Sequence, residues 1–488
     1  MTVGRYAFGL GRRLVQLLAG APARGHPLET GPTTPIHAPD PSETEPSMTA
    51  EIDVNDPHYR RMRLAAMLCE AAELEHSLTC QYLFAGFALK REMTEGLTAA
   101  ELDKVRGWRS TIMLIARQEM EHLGYVNNVL TALGEAPHLV RPDFPLDPAF
   151  YETDIDSKLA RFDFETLKRF LLFELPERMD HETLKTMTGY FPGLDFATIK
   201  TLGGLYTSIA KLLQLCEAEA KEKGETIFIG PKWAEAMTGG SNIENLRPGV
   251  DGQMSIYGMN LKPVLNLEDA IHAIKQVLEE GEGAPEHIEG SHFGRFLEIA
   301  AEYDRLLQDN PGFDPSRKVV DTPVSKVGYR GVQQKHGTVI EDPLTNKVSL
   351  AFDLAYNSMM LMLFRFFMAT DEDEADAKAI EDSVFFPVMT VVIRPLGELL
   401  TELPAKPGGD GMAGPGFRFD RRIALLPHRT AAFKIIYANL MALNAALTEV
   451  AGQMPNQQLN DRIDFVTQNV WRIAQNFANA TGIGGEAQ

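Results

Sequence analysis

Cysteine, positive charge and long apolar runs are all scarce in this chain. Three cysteines (Cys69, Cys80 and Cys216) among 488 residues cannot build a disulfide framework, nor a four-sulfur zinc or iron–sulfur site within one chain. A reducing, cytoplasmic setting is the expectation. Lysine and arginine total 47 against 67 aspartates and glutamates, a formal net charge of −20. A surface that acidic repels phosphate backbones, and no local basic patch offsets it, so nucleic acid is excluded as a partner. No uninterrupted apolar run approaches the roughly 18 residues of a membrane span, so no integral span is expected. Hydrolases are set aside as well, because no Ser-x-His or Cys–His constellation occurs with supporting context. What is present is ordinary globular composition, 44% apolar and 23% charged, in a chain long enough for more than one domain.

The N-terminal 53 residues stand apart. Arg5, Arg12 and Arg13 lie beside a short apolar run, residues 14–19. The pattern is that of a weak export signal or a basic amphipathic helix; the simpler reading is an unstructured extension, with Met48 opening a stretch that runs directly into helix. Seven prolines between Pro22 and Pro46 suit an extended linker. The chain therefore reads as an extension (1–53), a helical bundle (54–317), and an irregular crossing segment followed by a helical layer (318–488).

Within the bundle, polar residues intrude on apolar helix seams. Over residues 58–92 one seam reads Leu68, Ala71, Glu75, Leu78, Tyr82, the 3-4-3-4 spacing of a single helix face. Residues 99–134 give Ile112, Ile115, Glu119, His122, Val126, Val129, Leu133, and residues 164–179 give Phe164, Leu167, Leu171, Glu174. A stripe over residues 196–222 carries no acid, and a helix over 267–282 ends in Glu279, Glu280 and Glu282. Residues 287–308 then read Glu289, His292, Phe296, Ile299, Tyr303, Leu306.

A glutamate and a histidine three residues apart on a helix share one face and can bind one metal together. An unpartnered buried carboxylate costs several kcal/mol, so a chain that places Glu75, Glu119, His122, Glu289 and His292 on apolar seams must neutralise them. Two divalent cations do so. Two Glu-x-x-His motifs joined by glutamates from the remaining helices are the donor set of a di-metal four-helix bundle. Oxygen-rich sites with one imidazole per ion suit iron, or manganese, better than zinc or copper. The fourth carboxylate is open between Glu174, just before Pro176, and Glu282, at a helix end. Tyr82, Tyr125 and Tyr206 sit near the same layers. Each suits core packing with a satisfied hydroxyl; the sharper alternative is redox or substrate contact, for which Tyr82 with Glu75 is the candidate catalytic pair.

Residues 72–85 (AELEHSLTCQYLFA), 117–123 (RQEMEHL) and 291–299 (SHFGRFLEI) resemble the ferritin-like domain of the iminophenyl-pyruvate dimer synthase family. The short blocks 173–177 (FELPE), 280–283 (EGEG) and 413–417 (AGPGF) fit the same pattern. The resemblance spans about residues 60–450. It implies an all-α fold, a ferritin-like four-helix bundle with a long helical C-terminal extension. It also implies Glu75, Glu119, His122, Glu289 and His292 as metal ligands. Members occur in violacein- and chromopyrrolate-type biosynthesis and as stand-alone bacterial proteins. Gly204 departs from the pattern, standing where relatives often carry an acid, and the large N-terminal half of the bisindole enzymes is not part of this sequence. Haem is associated with those relatives, and no Cys-x-x-Cys-His motif occurs here.

Beyond the bundle, residues 318–348 are turn-rich with short β-prone pieces. A helix over 350–367 carries Met359, Met360, Met362, Phe364, Phe366 and Phe367, a core stripe or, alternatively, the wall of an adaptable apolar pocket. The acidic run 371–376 reads as a solvated helix start, and the glycine-rich loop 408–416 as a candidate lid between helices over 379–401 and 428–452. A last helix covers 456–480. The function expected is a di-metal oxidase or oxygenase. It would use O₂ or peroxide on a small amino-acid-derived substrate in secondary metabolism, with coupling of imines as one form. The alternatives are a metal-binding scaffold or a storage protein. A homo-oligomer is compatible with either.

Overall fold

A computed structural model describes residues 57–146, 155–199, 201–229, 261, 264–281, 289–326, 337–368, 380, 383–419, 423–426 and 428–481. The N-terminal extension, most of the loop 224–264, Glu282 and the acidic run 371–376 lie outside the described residues. The chain divides into two compact units, Met1–Arg63 and Leu64–Gln488. Of the first, residues 57–63 are described, and they are helical.

In the second unit the described residues are predominantly helical. The bundle elements are α1 (Pro57–Ala88, begun in the first unit), α2 (Ala99–Ala132), α3 (Phe164–Phe173), α4 (His181–Tyr190), α5 (Leu202–Glu222), α6 (Leu267–Gly281) and α7 (His292–Asp309). Most begin at a side chain that accepts an orphan backbone N–H. Thr98 and Glu101 form a reciprocal capping box on α2, while Asp163, Asp180, Thr201 and Ser291 cap α3, α4, α5 and α7. α3 packs on α7, and α6 is packed by both α2 and α5.

α3 stops at Phe173, six residues short of the expected 179, and Glu174 becomes its C-cap. The proline at 176 bars Leu175 from the helical region and removes the N–H that would extend the ladder. α7 starts at His292, not at 287. Gly290 sits in the left-handed region (φ 89°) and Ser291 caps the helix, so the chain turns immediately before the histidine.

The crossing segment contains two three-residue strands, β1 (Pro323–Ser325) and β2 (Thr338–Ile340), paired in parallel with Val324 opposite Val339. The C-terminal layer follows as α8 (Pro343–Phe367), a π-helical segment (Val384–Ile393) with Pro387 inside it, α9 (Arg394–Leu400), α10 (Arg429–Val450) and α11 (Gln457–Thr481). α10 packs on α8 and α11, and α8 reaches α2. The loop 408–416 is pinned rather than free to act as a lid. Met412 N–H donates to Lys318 O (2.8 Å), Ala413 N–H to Leu403 O (2.8 Å), and a Cβ at Gly414 would lie 2.6 Å from the Phe84 ring.

By length and composition alone α8 and α10 are each apolar enough to cross a membrane, a test that core helices also pass. Isolated polar residues break the run without changing the helix average. The apolar span of α8 is 89% buried within the protein, as a core helix requires. α10 buries one stripe, Phe433, Ile436, Leu440, Leu443, Leu447 and Val450.

Candidate metal centre

Five side chains from the seams meet inside the bundle. Glu75 on α1, Glu119 and His122 on α2, Glu174 at the end of α3 and His292 at the start of α7 are all buried. Glu119 stands between the two imidazoles: its Oε2 is 3.2 Å from His122 Nδ1 and its Oε1 is 2.8 Å from His292 Nδ1. Glu75 Oε2 lies 3.5 Å from His122 Nδ1, and Glu174 Oε2 lies 3.6 Å from His292 Nδ1. The imidazole rings stack with centroids 5.3 Å apart. Ligand-type atoms of Glu119, His122 and His292 all fall within 4.8 Å of one another. Two phenols complete the arrangement, with Tyr82 Oη donating to Glu174 and Tyr206 Oη donating to Glu75.

Residues 68–301 match the ferritin-like family model. The chain carries a ferritin-like domain. Its sequence is 25% identical over 425 residues to dichlorochromopyrrolate synthase of Lentzea aerocolonigenes, covering 80% of this chain and 39% of that protein. It is also 25% identical over 388 residues to 2-imino-3-(indol-3-yl)propanoate dimerase of Chromobacterium violaceum, covering 73% of this chain and 34% of that protein. The chain thus spans between a third and two fifths of the length of these curated relatives. A solved ferritin-like protein from Caulobacter vibrioides aligns at 16% identity over 72% of this chain and 98% of that one, with a TM-score of 0.41.

The ferritin-like domain brings together most of the candidate ligands, but not all. Glu289 lies exposed in the turn before α7, outside the cluster. The i, i+3 argument requires both residues on a helix, and the Gly290–Ser291 break removes Glu289 from that face. In its place the domain supplies Glu280 from the last turn of α6, whose Oε2 is 3.4 Å from His122 Nε2 and accepts a hydrogen bond from Gln118 (3.0 Å). The signal for Glu280 was in the sequence. The buried stripe of α6 runs Ala270, Ala273, Ile274, Val277, Gly281, and Glu280 continues it three residues after Val277. Of the two candidates for the fourth carboxylate, Glu174 is in the cluster. Gly281 passes beside it, since a Cβ there would lie 3.6 Å from Glu174 Oε2. Gly204 sits in the first turn of α5, its N–H donating to Thr201 Oγ1 (3.2 Å), with Glu177 the nearest acid at 3.7 Å from where a Cβ would stand. Tyr125 is remote in role: its hydroxyl lies 3.4 Å from Glu121 Oε1.

Electrostatics show how crowded the centre is. Burial, then the charge of Glu119, pushes the Glu75 carboxyl up to about 8. For His292 burial alone would depress the imidazole, but Glu119 and Glu174 outweigh it and raise it to about 9. His122 is likewise raised against burial by its contacts with Glu119, Glu280 and Glu75. Burial and neighbouring carboxylates push the phenols of Tyr82 and Tyr206 well up, so both remain donors. Among the described residues no lysine or arginine bonds Glu75, Glu119, Glu174 or Glu280.

These residues fit a metal. Glu75 Oε2, Glu119 Oε1, His122 Nε2 and both ring nitrogens of His292 are buried without a hydrogen-bond partner. Glu119 Oε1 and His292 Nδ1 are 2.8 Å apart yet not aligned as donor and acceptor, which is how two ligands aimed at a common centre stand. A cavity of about 20 Å³ is lined by Glu75, Glu119, His122 and Glu174, above the roughly 10–15 Å³ that a water-sized occupant needs. Four carboxylates with two imidazoles form an oxygen-rich set suited to iron or manganese.

Proposed function

We propose that this chain is a metal-dependent oxidative enzyme acting on a small amino-acid-derived substrate, with coupling of imines as the leading reaction. Glu75, Glu119, His122, Glu174, Glu280 and His292 would hold two ions, most simply iron. When bound, such a pair supplies two-electron oxidation at the expense of O₂ or peroxide. The observation that carries this reading is the convergence of buried, unpartnered ligand atoms around Glu119. The choice of substrate class is supported by the two relatives named above, whose names specify a chromopyrrolate synthase and an indolyl-imine dimerase. Because this chain spans only part of their length, the transfer of their chemistry is part of the proposal. So are the division into a bundle (54–317) and a C-terminal layer (318–488), and a cytoplasmic setting, which the three free thiols suit.

The chain's own residues have definable parts in this scheme. Glu119, with an oxygen facing each imidazole, joins the two halves of the site. Tyr82 and Tyr206 hold their protons at Oη and fix one oxygen of Glu174 and of Glu75, leaving the other oxygen of each facing a histidine. Tyr82 is therefore a positioning group for Glu174, as Tyr206 is for Glu75. Phe170 and Phe296 pack edge-on against the Tyr82 ring (centroids 4.6 and 5.2 Å) and exclude water from that side. The test is O₂ uptake by iron-loaded protein given imines of aromatic 2-oxo acids. Uptake stoichiometric with a coupled product supports the proposal; uptake indifferent to any such imine points to a binding or storage role.

A further inference from the structure

A second, larger cavity lies on the other flank of the α1–α2 pair. It measures about 360 Å³ and is bounded by α1, α2, α8 and the π-helical segment. It shares no lining residue with the small cavity at the metal centre. The helices are common walls all the same: on α1 Glu75 faces the centre while its neighbour His76 lines the cavity, and on α2 Glu119 and Met120 divide in the same way.

Its lining is mostly hydrocarbon and sulfur. Met113, Met120, Met359, Met360 and Met389 all contribute, and methionine adapts its shape and makes favourable contacts with aromatic edges. The polar lining groups are mostly engaged. Tyr356 Oη is bonded to His76 Nε2 and lies 3.3 Å from Cys80 Sγ, and Arg394 Nε is paired with Glu398 (3.0 Å). Arg117 also has partners of its own. Two buried lining atoms, Thr79 Oγ1 and His76 Nδ1, have no partner, and Thr79 carries the only such hydroxyl. Helix-interior threonine hydroxyls ordinarily bond the carbonyl one turn back, as Thr131 does to Asn127 O (3.0 Å) and Thr467 to Ile463 O (2.8 Å). Thr79 Oγ1 is buried and has no such bond. A buried hydroxyl left without a partner is unfavourable by an amount comparable to a lost hydrogen bond.

We infer that this cavity is a binding site for a flat, uncharged aromatic molecule of roughly two or three fused rings, whose one hydrogen-bonding group meets Thr79 Oγ1. The volume suits that size, the methionine walls suit the ring faces, and an apolar lining with engaged guanidinium groups disfavours a net charge. The site needs no metal, so it stands or falls independently of the oxidase reading.

Titration of the full chain with 2-naphthol, followed by the ligand's fluorescence and by calorimetry, tests it. Saturable binding at one molecule per chain is expected, equal in chelator-treated and iron-loaded protein, and weaker for 2-naphthoate. Thr79→Val, which keeps the shape and removes the hydroxyl, should weaken 2-naphthol about five- to tenfold and leave naphthalene unchanged. Leu363→Trp, which fills the cavity, should abolish both; Met120→Phe serves the same end if that variant does not fold. Absence of saturable binding, binding that survives the filled cavity, equal effects of Thr79→Val on both probes, or a preference for 2-naphthoate would each overturn the inference.

Discussion

Single side chains decide what this protein can do, and the decisive ones are acids on apolar seams. Glu75, Glu119, His122, Glu174 and His292 were legible because each interrupts a 3-4-3-4 pattern that otherwise has one reason to exist, burial. Glu289 falls outside the cluster for a local reason. Its spacing from His292 is right, but Gly290 and Ser291 end the helix between them, and a sequence period says nothing about which side of a cap a residue falls on. Glu280 was passed over in favour of Glu282 within one acidic cluster, although only Glu280 continues the α6 stripe. The two glutamates give a clean contrast. Glu280→Gln should lower metal affinity by more than about tenfold, a cost that even outer-sphere partners of a metal can carry. Glu289→Gln should leave metal content unchanged, since that carboxyl is exposed and outside the cluster. Metal analysis after dialysis against a graded chelator series distinguishes them.

At the level of elements, the helices were readable and their ends less so. Periodicity placed α1, α2, α10 and α11 to within a few residues, whereas prolines and caps set the limits of α3, α5 and α7, with α5 starting six residues late behind the Thr201 cap. The π-helical turn at Val384–Ile393 had no sequence signal beyond Pro387, which a helix can accommodate by widening one turn. The packing of α9 on α1 was equally hidden, because it depends on a side chain that is absent. A Cβ at Gly397 would stand 2.6 Å from Phe87 Cε2 and 3.5 Å from Phe352 Cε2. Gly397→Ala would gain helix propensity at that position, yet overpacking at this contact should dominate and destabilise the protein by about 1–3 kcal/mol. A urea titration of the variant should show a lower midpoint with an unchanged slope.

Across the whole molecule, charge and composition ruled out classes of partner without revealing how the C-terminal layer is tied to the bundle. Part of that tie is a half-buried ion-pair cluster. Glu398 on α9 pairs with Arg91 (2.6 Å), with Arg109 of α2 and with Arg394 (3.0 Å), while Glu402 takes Arg462 of α11 (3.0 Å). No linear period could announce contacts between residues some 300 positions apart. Burial would raise the Glu398 carboxyl, but Arg91, Arg109 and Arg394 prevail and hold it below its ordinary value of 4.5. A carboxyl lowered in the folded state contributes stability that is fully present above 4.5 and is lost as pH falls through the depressed folded value. Unfolding midpoints should therefore drop below pH 4.5 less steeply in Glu398→Gln than in the native protein, with the variant already weaker at neutral pH.

The proposed function depends on the buried cluster around Glu119 being a metal site. The most direct measurement is metal content per chain of protein purified without chelators, beside His122→Ala and His292→Ala. About two iron or manganese ions per native chain are expected, as a bundle with this donor set binds, with their loss in both variants. A native protein that binds no metal, even after anaerobic loading with iron, and that keeps its stability in both variants would contradict the proposed function.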